Sequence, residues 1–566
     1  NPEAAQSRRN TVLMLMLEQG YITQEEFDVG VATPLEDTLN YTPTPIGCET
    51  AGNAAFFCDY VINVILNSPE FGETKQDRRN LLYTGGLDIY TTLDIRMQDL
   101  AMQITAETVP ATDESGVATA IAAVQPGTGY ILAMGQNRPL DTSPEPEPGH
   151  TAVNYAAGQP YSASMGFQPG SSFKPITLAA WIASGHNLME RVNASRQTWT
   201  GPVWQASCIG DGGMHSFGTY NPGNVDGSAS GMITVMTATE RSINTAYIDM
   251  TNKLDLCAIT DMADRLGFER SDQNPTTPQP STTLGVEVTS PLSMANAYAT
   301  IAANGVRCDP IAITRVTDSN GEELEVPSAN CVQSVDPQVT SAVSYALSAV
   351  VDRLRLNIGI PSAGKTGTAQ DNSHSWFVGY TPALSAAVWV GNPAGVIPMQ
   401  HIRINGTYHS YVYGSTIAAP EWQRFMAAAT EGWAPQPFPE PGELQVFGER
   451  IPVPNVVGLS VEEATQVMAE AGFAVEVAEE GAFNETIPAG FVATHEPGAG
   501  IRVTVNTIIS LVLSNGPDPA LAPPPPPPPP SPTPTPTPTP AVPTPVTPTP
   551  AGPPEHTGPP HNDHHD

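Results

Sequence analysis

A helix that is apolar on every side constrains the fold of this 566-residue chain more than any other feature. We expect it to run from Ser171 or Ser172 to about Ala183, because Pro175 is tolerated only in a first turn and Gly185 offers a stop. The apolar residues of the helix, which cover all of its faces, are Ile176, Leu178, Ala179, Ala180, Trp181 and Ile182. A helix of this kind is buried in the middle of a domain.

The stretches on either side of this helix predict the rest of the domain. Residues 118–135, "ATAIAAVQPGTGYILAMG", indicate two strands joined at a Pro-Gly turn. Helical patterns dominate between about 228 and 306. After Lys365 the strand-like runs "SWFVGYTP" and "LSAAVWVG" suggest an antiparallel sheet. We therefore predict an α/β (α+β) fold with an antiparallel sheet packed between helices.

Composition changes divide the chain. The stretch "APQPFPEPGE" ends the central domain near residue 445, and a compact α+β unit follows over 450–516, with a helix capped by Ser460 and Glu463. Proline and threonine repeats then predict an extended spacer within a disordered tail at 517–566, because such a composition forms no core.

Charge limits the possible partners of the protein. The formal net charge is −34 at pH 7, which argues against nucleic acid or an anionic membrane surface because both would be repelled. The sequence has no run of 18 or more apolar residues and begins at Asn1 inside an expected helical segment. We therefore expect an N-terminal portion, including any membrane anchor, to be missing from this chain.

The six cysteines are expected to form disulfides. They lack the paired CxxC or CxxxH spacings of a zinc site, so we expect no metal and no cofactor. Disulfides would place the protein outside the cytoplasm. The expected pairing has two bridges that close short loops and one weaker assignment: Cys48 with Cys58, Cys308 with Cys331, and Cys208 with Cys257.

Two of the chain's four lysines lie in short stretches whose residues could take part in catalysis. Ser171 and Lys174, in "QPGSSFKPIT", are three residues apart, so on one helical turn the amine can reach the hydroxyl. A lysine that loses its proton on desolvation can act as a base, whereas an arginine stays protonated. Lys365 in "GKTGT" is the candidate neighbour that lowers the pKa of that lysine. Backbone N–H groups at the helix start suit a developing oxyanion.

Two further motifs accompany this pair. Lys365, Thr366 and Gly367 are expected on a strand that lines a cleft, where Gly367 lets a substrate backbone come close. Ser242 and Asn244 would diverge by about 200° on a regular helix, so a shared role requires a turn. In the order SxxK, SxN and KTG, the three motifs form the set found in serine β-lactamases and penicillin-binding proteins.

Longer stretches make the chain resemble class A penicillin-binding proteins. Residues 1–40 are similar to the closing helices of that family's glycosyltransferase domain, 41–160 to the linker and the start of the transpeptidase region, and 161–440 to the transpeptidase domain. Residues 450–516, with "VPNVVGLSVEEATQVMAEAGF", resemble a PASTA domain. The other matching stretches are "TTLDIRMQDLA", "AVQPGTGYILAM", "FGTYNPGNVDG", "LGVEVTSPLSMANAYATIAANG" and "KTGTAQDNSHSWFVGYTP".

This resemblance implies a D,D-transpeptidase that crosslinks peptidoglycan stem peptides and is inhibited by β-lactams. Ser171 would attack the penultimate D-Ala carbonyl, and Lys174 would be its base, although sequence leaves the acylating base open. Ser242 would relay a proton toward the leaving amine. Asn244 would hydrogen-bond Lys174 and the substrate amide.

The KTG motif carries the remaining implied roles. Lys365 would supply the positive charge of the site and bind the substrate carboxylate. Thr366 and Thr368 would help to bind the substrate. The backbone N–H groups of Ser171 and Thr368 would form the oxyanion hole. The family also implies a position at the extracytoplasmic face of a bacterial cell membrane, anchored through an N-terminal segment. Full-length relatives polymerise glycan, but this chain lacks the acidic residues for that step.

Three alternatives remain open on the sequence. A β-lactamase needs a base for a deacylating water, and Glu269 and Glu287 follow no pattern that we recognise for the task. A D,D-carboxypeptidase would use the same catalytic residues with water as the acceptor. An inactive penicillin-binding scaffold is the third, although all three motifs are intact. The PASTA unit is either a muropeptide-binding or positioning module or a spacer that binds nothing tightly.

Overall fold

The computed structural model describes residues 2–38, 47–225, 227, 229–505 and 507–519. The predicted tail beyond residue 519 lies outside this part of the chain. The described chain divides into two compact units. The first runs to Val453 and includes the short segments 471–473 and 500–507, and the second contains 454–470, 474–499 and the residues from Ile508 onward.

The helices and strands of the described residues are as follows. The α-helices are α1 Pro2–Glu18, α2 Gln24–Ala32, α3 Leu35–Thr38, α4 Ala55–Asn67, α5 Lys75–Thr84, α6 Ile95–Thr108, α7 Lys174–Ala183, α8 Val235–Glu240, α9 Asn244–Lys253, α10 Leu256–Leu266, α11 Pro291–Ala302, α12 Pro337–Leu354, α13 Ala418–Ala429, α14 Glu443–Phe447 and α15 Val461–Glu470. The strands are β1 Asp88–Thr91, β2 Ala118–Val124, β3 Ile131–Gln136, β4 Arg191–Asn193, β5 Trp204–Gln205, β6 Met214–His215, β7 Met232–Thr234, β8 Val306–Arg307, β9 Ile313–Thr317, β10 Glu323–Leu324, β11 Val332–Gln333, β12 Ala363–Thr368, β13 His374–Thr381, β14 Leu384–Gly391, β15 Gln400–Ile404, β16 Thr407–Tyr411, β17 Arg450–Pro452, β18 Ala474–Val477, β19 Val492–Glu496, β20 Arg502–Thr504 and β21 Ile508–Leu513.

A five-stranded antiparallel sheet organises the first unit, in the order β12-β13-β14-β2-β3. Successive residues of a strand point to opposite faces, and here both faces are covered. Ala120, Val378 and Trp389 belong to a core shared with α7, α11 and α12, whereas Ile121 and Val388 belong to a second core shared with α6 and α13. The predicted antiparallel sheet packed between helices is confirmed.

Helix α7 lies in the first of these cores, as its apolar sequence predicts. Every residue from Lys174 to Ile182 is buried. The predicted start differs, because Gly170–Phe173 forms a 3-10 turn and the α-helix begins only at Lys174. Pro175 lies in the first α-helical turn, where no backbone N–H is needed. Ser171 therefore lies on a tight turn at the entry to the helix.

The second unit is a small α+β domain. Helix α15 begins after Ser460, whose hydroxyl accepts a hydrogen bond from the N–H of Glu463, while the Glu463 carboxylate accepts from the N–H of Ser460. Strand β21 pairs in parallel with β18 and antiparallel with β19. Ala464, Met468 and Leu511 are fully buried. The capped helix and the strands agree with the prediction.

The described chain contains three disulfides, and they pair the same cysteines as the sequence analysis expects. Cys48–Cys58 and Cys308–Cys331 close loops with sequence separations of 10 and 23, and Cys208–Cys257 joins residues 49 apart. None of the described helices combines the length and the apolar character needed to cross a bilayer.

Removing the Cys208–Cys257 bridge is expected to destabilise the protein more than removing Cys48–Cys58. A disulfide restricts the unfolded chain more when it closes a longer loop, so the double alanine variants should lose on the order of 4 and 3 kcal/mol, respectively. Urea unfolding followed by tryptophan fluorescence would measure both losses. Equal stability of the Cys208→Ala/Cys257→Ala variant and the oxidised wild type would contradict the expectation.

Candidate active site

The amine of Lys174 is the centre of the candidate site. Lys174 is the first residue of α7, and its side chain is fully buried. Its Nζ donates to the backbone oxygen of Ser242 at 2.8 Å and to Oδ1 of Asn244 at 2.6 Å. It also lies 3.3 Å from Oγ of Ser242. The amine is thus held by three oxygen atoms of the SxN motif.

A tight turn brings Ser242 and Asn244 together. Helix α8 ends at Glu240 and α9 begins at Asn244, and between them Ser242 has a φ of 57°. A non-glycine residue rarely adopts this left-handed conformation, and such strained residues concentrate at functional sites. The turn that a shared role of the two side chains requires is therefore present.

Lys365 approaches the same serine from the sheet. Its Nζ donates to Oγ of Ser242 at 2.7 Å and to the backbone oxygen of Thr366 at 3.2 Å. A hydroxyl oxygen has two lone pairs, so Oγ of Ser242 can accept from both lysines and still donate its own proton. Ser242 consequently bridges Lys174 and Lys365.

Burial controls the charge of both lysines. Desolvation holds the pKa of Lys174 well below its ordinary value, and the positive charge of Lys365 lowers it further. Desolvation, with a smaller contribution from Arg353, lowers the pKa of Lys365 to about 7. Within the described residues, no carboxylate forms an ion pair with either lysine. Burial and the neighbouring charge therefore favour the neutral form of the Lys174 amine.

Ser171 and Ser172 differ in their surroundings. Ser171 is partly exposed, whereas Ser172 is fully buried and donates its hydroxyl to the backbone oxygen of Pro169 at 2.7 Å. In the described chain, Ser171 and Lys174 form no hydrogen bond, because the buried amine is oriented toward oxygens of Ser242 and Asn244. Catalytic hydrogen bonds are often long before substrate binds. Ser171 is the serine that a substrate can reach.

The backbone of the Ser171 turn packs directly against strand β12. A Cβ atom on Gly170 would lie 2.5 Å from the backbone oxygen of Thr368, and one on Gly367 would lie 2.2 Å from the backbone oxygen of Pro169. Only glycine allows this approach. The glycine of the KTG motif is thus needed for packing against the Ser171 turn, a reason that adds to the close passage of a substrate backbone that the sequence suggests.

Thr366 and Thr368 lie on the same side of β12, two residues apart, and both are partly exposed. The hydroxyl oxygen of Thr368 accepts a hydrogen bond from the N–H of Gly414 at 3.0 Å. Lys365, which precedes Thr366 on the strand, is fully buried. The two threonines are therefore the exposed side chains of the motif.

Asn224 and Gly223 are part of the site although sequence reasoning gave them no role. Nδ2 of Asn244 donates to the backbone oxygen of Gly223 at 3.1 Å, which turns its Oδ1 toward Lys174. Asn224 accepts from the N–H of Thr245 and donates to its hydroxyl. The signal in the sequence was the Asn-Pro-Gly-Asn turn in "FGTYNPGNVDG", which has the composition of an ordered loop.

The two acids considered for a β-lactamase lie in other networks. Glu287 pairs with Arg270 at 2.5 Å. Burial raises the pKa of Glu269, with a further increase from Asp309. Neither carboxylate is joined to Ser171 by a hydrogen bond in the part of the chain that the structure describes.

Comparison with family models agrees with this arrangement. Residues 119–401, half of the chain, match the penicillin binding protein transpeptidase domain, and residues 451–515 match the PASTA domain. The chain therefore belongs to the penicillin-binding protein transpeptidase family. The two domains and the relatives below place it among the class A members.

Curated relatives include the penicillin-binding proteins 1A of Mycolicibacterium smegmatis and Mycobacterium tuberculosis. The first is 29% identical and the match covers 78% of this chain and 53% of the relative; the second is 28% identical, with 64% and 42% covered. The chain thus spans about half the length of these relatives.

Solved structures agree with the fold. The PonA1 protein from Mycobacterium tuberculosis, solved in complex with penicillin V, is 27% identical, with a TM-score of 0.53 over 64% of this chain and 91% of that chain. Penicillin-binding protein 1A from Haemophilus influenzae has a TM-score of 0.55 over 78% of this chain and 79% of that one, but at 16% identity it shows the fold alone.

Proposed function

We propose that this chain is a serine D,D-transpeptidase that crosslinks peptidoglycan stem peptides and is acylated by β-lactams at Ser171. The observation that carries the proposal is the buried pair Lys174 and Lys365, joined through Oγ of Ser242 beside an accessible serine. A neutral amine next to a hydroxyl nucleophile, with a second cation that keeps the amine neutral, is the arrangement that serine activation requires.

Acylation begins when Oγ of Ser171 attacks the carbonyl carbon of the penultimate D-Ala and its proton passes to Nζ of Lys174. The N–H groups of Ser171 and Thr368 receive the oxyanion, a role supported by the close packing of Gly170 against Thr368. The proton then moves through the Ser242 hydroxyl to the leaving nitrogen. The C–N bond breaks, and terminal D-Ala departs as a neutral amine.

Deacylation reverses these proton transfers with a new amine. The acceptor amine of a second stem attacks the ester carbonyl of the acyl-enzyme and gives up a proton to Nζ of Lys174. The C–O bond to Ser171 breaks, and the proton returns to its oxygen. Aminolysis balances without water, cofactor or metal, and the enzyme is regenerated with Lys174 neutral.

The absence of a carboxylate paired with either lysine, among the described residues, supports a substrate that carries a carboxylate. Both lysines are buried without an ion-pair partner among the described residues, and such a site favours an incoming negative charge. A terminal carboxylate near Lys365 would raise its pKa and keep it protonated. Thr366 and Thr368, partly exposed on the same strand, would donate to the same group.

The proposal is tested with a donor peptide ending in D-Ala-D-Ala and a free amine acceptor, with the products separated by mass spectrometry. A new amide together with released D-Ala is the expected result. Released D-Ala with hydrolysed donor alone would assign a D,D-carboxypeptidase instead. No turnover and no benzylpenicillin adduct would assign a scaffold, and rapid destruction of the drug would assign a β-lactamase.

The acylation rate is expected to depend on pH with a maximum near neutrality. The rate should rise with pH as the amine of Lys174, whose pKa is depressed by burial, loses its proton. It should fall above about pH 7 as Lys365 loses the charge that binds the carboxylate. Second-order rates of benzylpenicillin acylation between pH 5 and 9 would measure both limbs. Lys365→Ala should acylate much more slowly than the wild type, and its rate should no longer fall above pH 7. A falling limb that this variant leaves unchanged would refute the assignment.

We further propose how the regions of the chain serve the whole protein. Residues 1–40 would be the end of a glycosyltransferase domain, 41–160 the linker region, 161–440 the transpeptidase domain, 450–516 a PASTA module for muropeptides or spacing, and 517–566 a stalk. The protein would act at the extracytoplasmic face of a bacterial membrane. The whole protein would also polymerise glycan, while this chain would form no polymer from lipid II.

A further inference from the structure

A row of aromatic rings crosses the surface hairpin of β15 and β16. The ring of His401 lies 6.5 Å from Tyr408 and 5.8 Å from Tyr411, and Tyr411 lies 6.0 Å from Tyr413. We name these four residues the aromatic ladder. Tyr408 and Tyr411 are 51% and 45% exposed, so the ladder presents its rings to solvent.

The hairpin that carries the ladder has an arginine and no acid of its own, in a chain that is otherwise strongly acidic. Arg403 lies 5.9 Å from the ring of Tyr408. No acidic residue occurs between Asp371 and Glu421, although the chain has 57 Asp and Glu residues. Arg403 forms no ion pair with any residue that the structure describes. Acidic residues of other elements contact the hairpin. A carboxylate oxygen of Asp113 accepts from the backbone N–H of Asn405, and the backbone oxygens of Glu107 and Asp371 accept from the side chains of Asn405 and Gln400.

The hairpin is rigid, which distinguishes the ladder from a loose surface loop. An isolated two-stranded hairpin is marginally stable, but here Met399, Ile404 and Val412 are buried in the second core. The backbone oxygen of Val412 accepts hydrogen bonds from Asn372 and from the hydroxyl of Ser375. Rigid exposed aromatic side chains bind partners at a low entropic cost.

The ladder leads to the candidate active site. Tyr413 precedes Gly414, whose N–H donates to the hydroxyl oxygen of Thr368, and a Cβ atom on Gly414 would lie 2.5 Å from the backbone oxygen of Gly367. The row of rings thus ends at the strand edge that carries Thr366 and Thr368. A ligand along the ladder would reach the site without crossing another element of the sheet.

We propose that the aromatic ladder and Arg403 form the docking surface for the second peptidoglycan strand, the one that supplies the acceptor amine, which rests on the transpeptidase function proposed above. Stem peptides carry free carboxylates, and a hairpin with an arginine that has no ion-pair partner among the described residues, and with no acid in its own sequence, attracts them more than the acidic remainder of this chain does. The tyrosine rings contact the apolar parts of the same peptide, as aromatic residues do at protein interfaces.

The test measures binding of soluble, uncrosslinked peptidoglycan strands to the full chain, before and after acylation with penicillin. Arg403→Glu and Tyr411→Ala are expected to raise the Kd about fivefold or more, because each removes a central contact of the surface. The matched controls are Arg315→Glu and Tyr90→Ala. Arg315 lies 3.7 Å from the ring of Tyr90, which is 46% exposed in a separate sheet, so these variants should change the Kd less than twofold.

Separate readouts distinguish this inference from the proposed function. The rate of fluorescent penicillin acylation should stay within about twofold in all four variants, because the ladder lies outside the acylating centre. An absent adduct in the wild type would remove the proposed catalysis but leave the binding measurement intact. Equal Kd values in ladder and control variants would overturn the docking surface. Glycan strands without peptides are a further control. If they bind as tightly as intact strands and the ladder variants weaken that binding to the same extent, the docking surface for a peptide is overturned as well.

Discussion

Ser171→Ala is expected to abolish covalent modification of the chain by benzylpenicillin. Ser171 is the partly exposed serine at the entry to α7, and without its hydroxyl no ester can form. Loss of a nucleophile from a working catalytic unit removes several orders of magnitude of rate, so we expect a decrease of about 10⁴-fold or more. Intact mass spectrometry over hours would show one drug adduct on the wild type and none on the variant.

Ser172→Ala is the matched control, since it removes an adjacent hydroxyl of the same turn. Ser172 is fully buried and donates only to Pro169 in the described contacts, so this variant should acylate within about tenfold of the wild type while losing some stability. An adduct that persists in Ser171→Ala and disappears in Ser172→Ala would exchange the roles of the two serines. Peptide mapping of the wild-type adduct would give the same answer independently.

Much of the fold follows from hydrophobic patterns that were visible in the sequence. Helix α7 is apolar on all sides because it lies in a core, and the runs after Lys365 are mostly apolar because both faces of β13 and β14 are covered. The exact helix start was not predictable. The sequence from Gly170 to Phe173 is compatible with either a 3-10 turn or an α-helical turn. The 3-10 turn that forms is the tighter of the two, and it packs closely against Thr368.

The three motifs identified the side chains of the candidate site, and the family resemblance implied one of their contacts, the hydrogen bond from Lys174 to Asn244. Sequence spacing favoured an interaction of Lys174 with Ser171, whereas the structure directs the amine to Ser242 and Asn244, which lie about 70 residues further along the chain. Spacing also gave no reason for Gly367 beyond substrate approach. The structure adds a second reason, the backbone oxygen of Pro169, a contact that exists only after the turn and the sheet have packed.

The electrostatics of the site depend on what is absent from it. In a chain with 57 acidic residues, the described structure has no carboxylate paired with Lys174 or Lys365. An acid at that position would hold Lys174 protonated and remove its function as a base. The positive charge of Lys365 has the opposite effect, and Oγ of Ser242 lies within hydrogen-bond distance of both amines.

Lys174→Arg is expected to lower the rate of acylation by about a thousandfold. The guanidinium stays protonated at any working pH, so it cannot take the proton of Ser171, and general base catalysis contributes up to about 10⁴-fold. Lys174→Met should show a similar loss, because it keeps the length of the side chain without the amine. Rates are measured from the growth of the benzylpenicillin adduct, with the melting temperature of each variant recorded in parallel.

Stability separates a catalytic role of Lys174 from a structural one. Burying an amine is costly, so Lys174→Met should melt close to the wild type even though it leaves the oxygens of Ser242 and Asn244 without their donor. Lys253→Arg is the control, because Lys253 is a surface residue paired with Asp249 at 3.0 Å and the change keeps its charge. If Lys174→Arg acylates within tenfold of the wild type, the base is another group, and Ser242 between the two lysines becomes the first to examine.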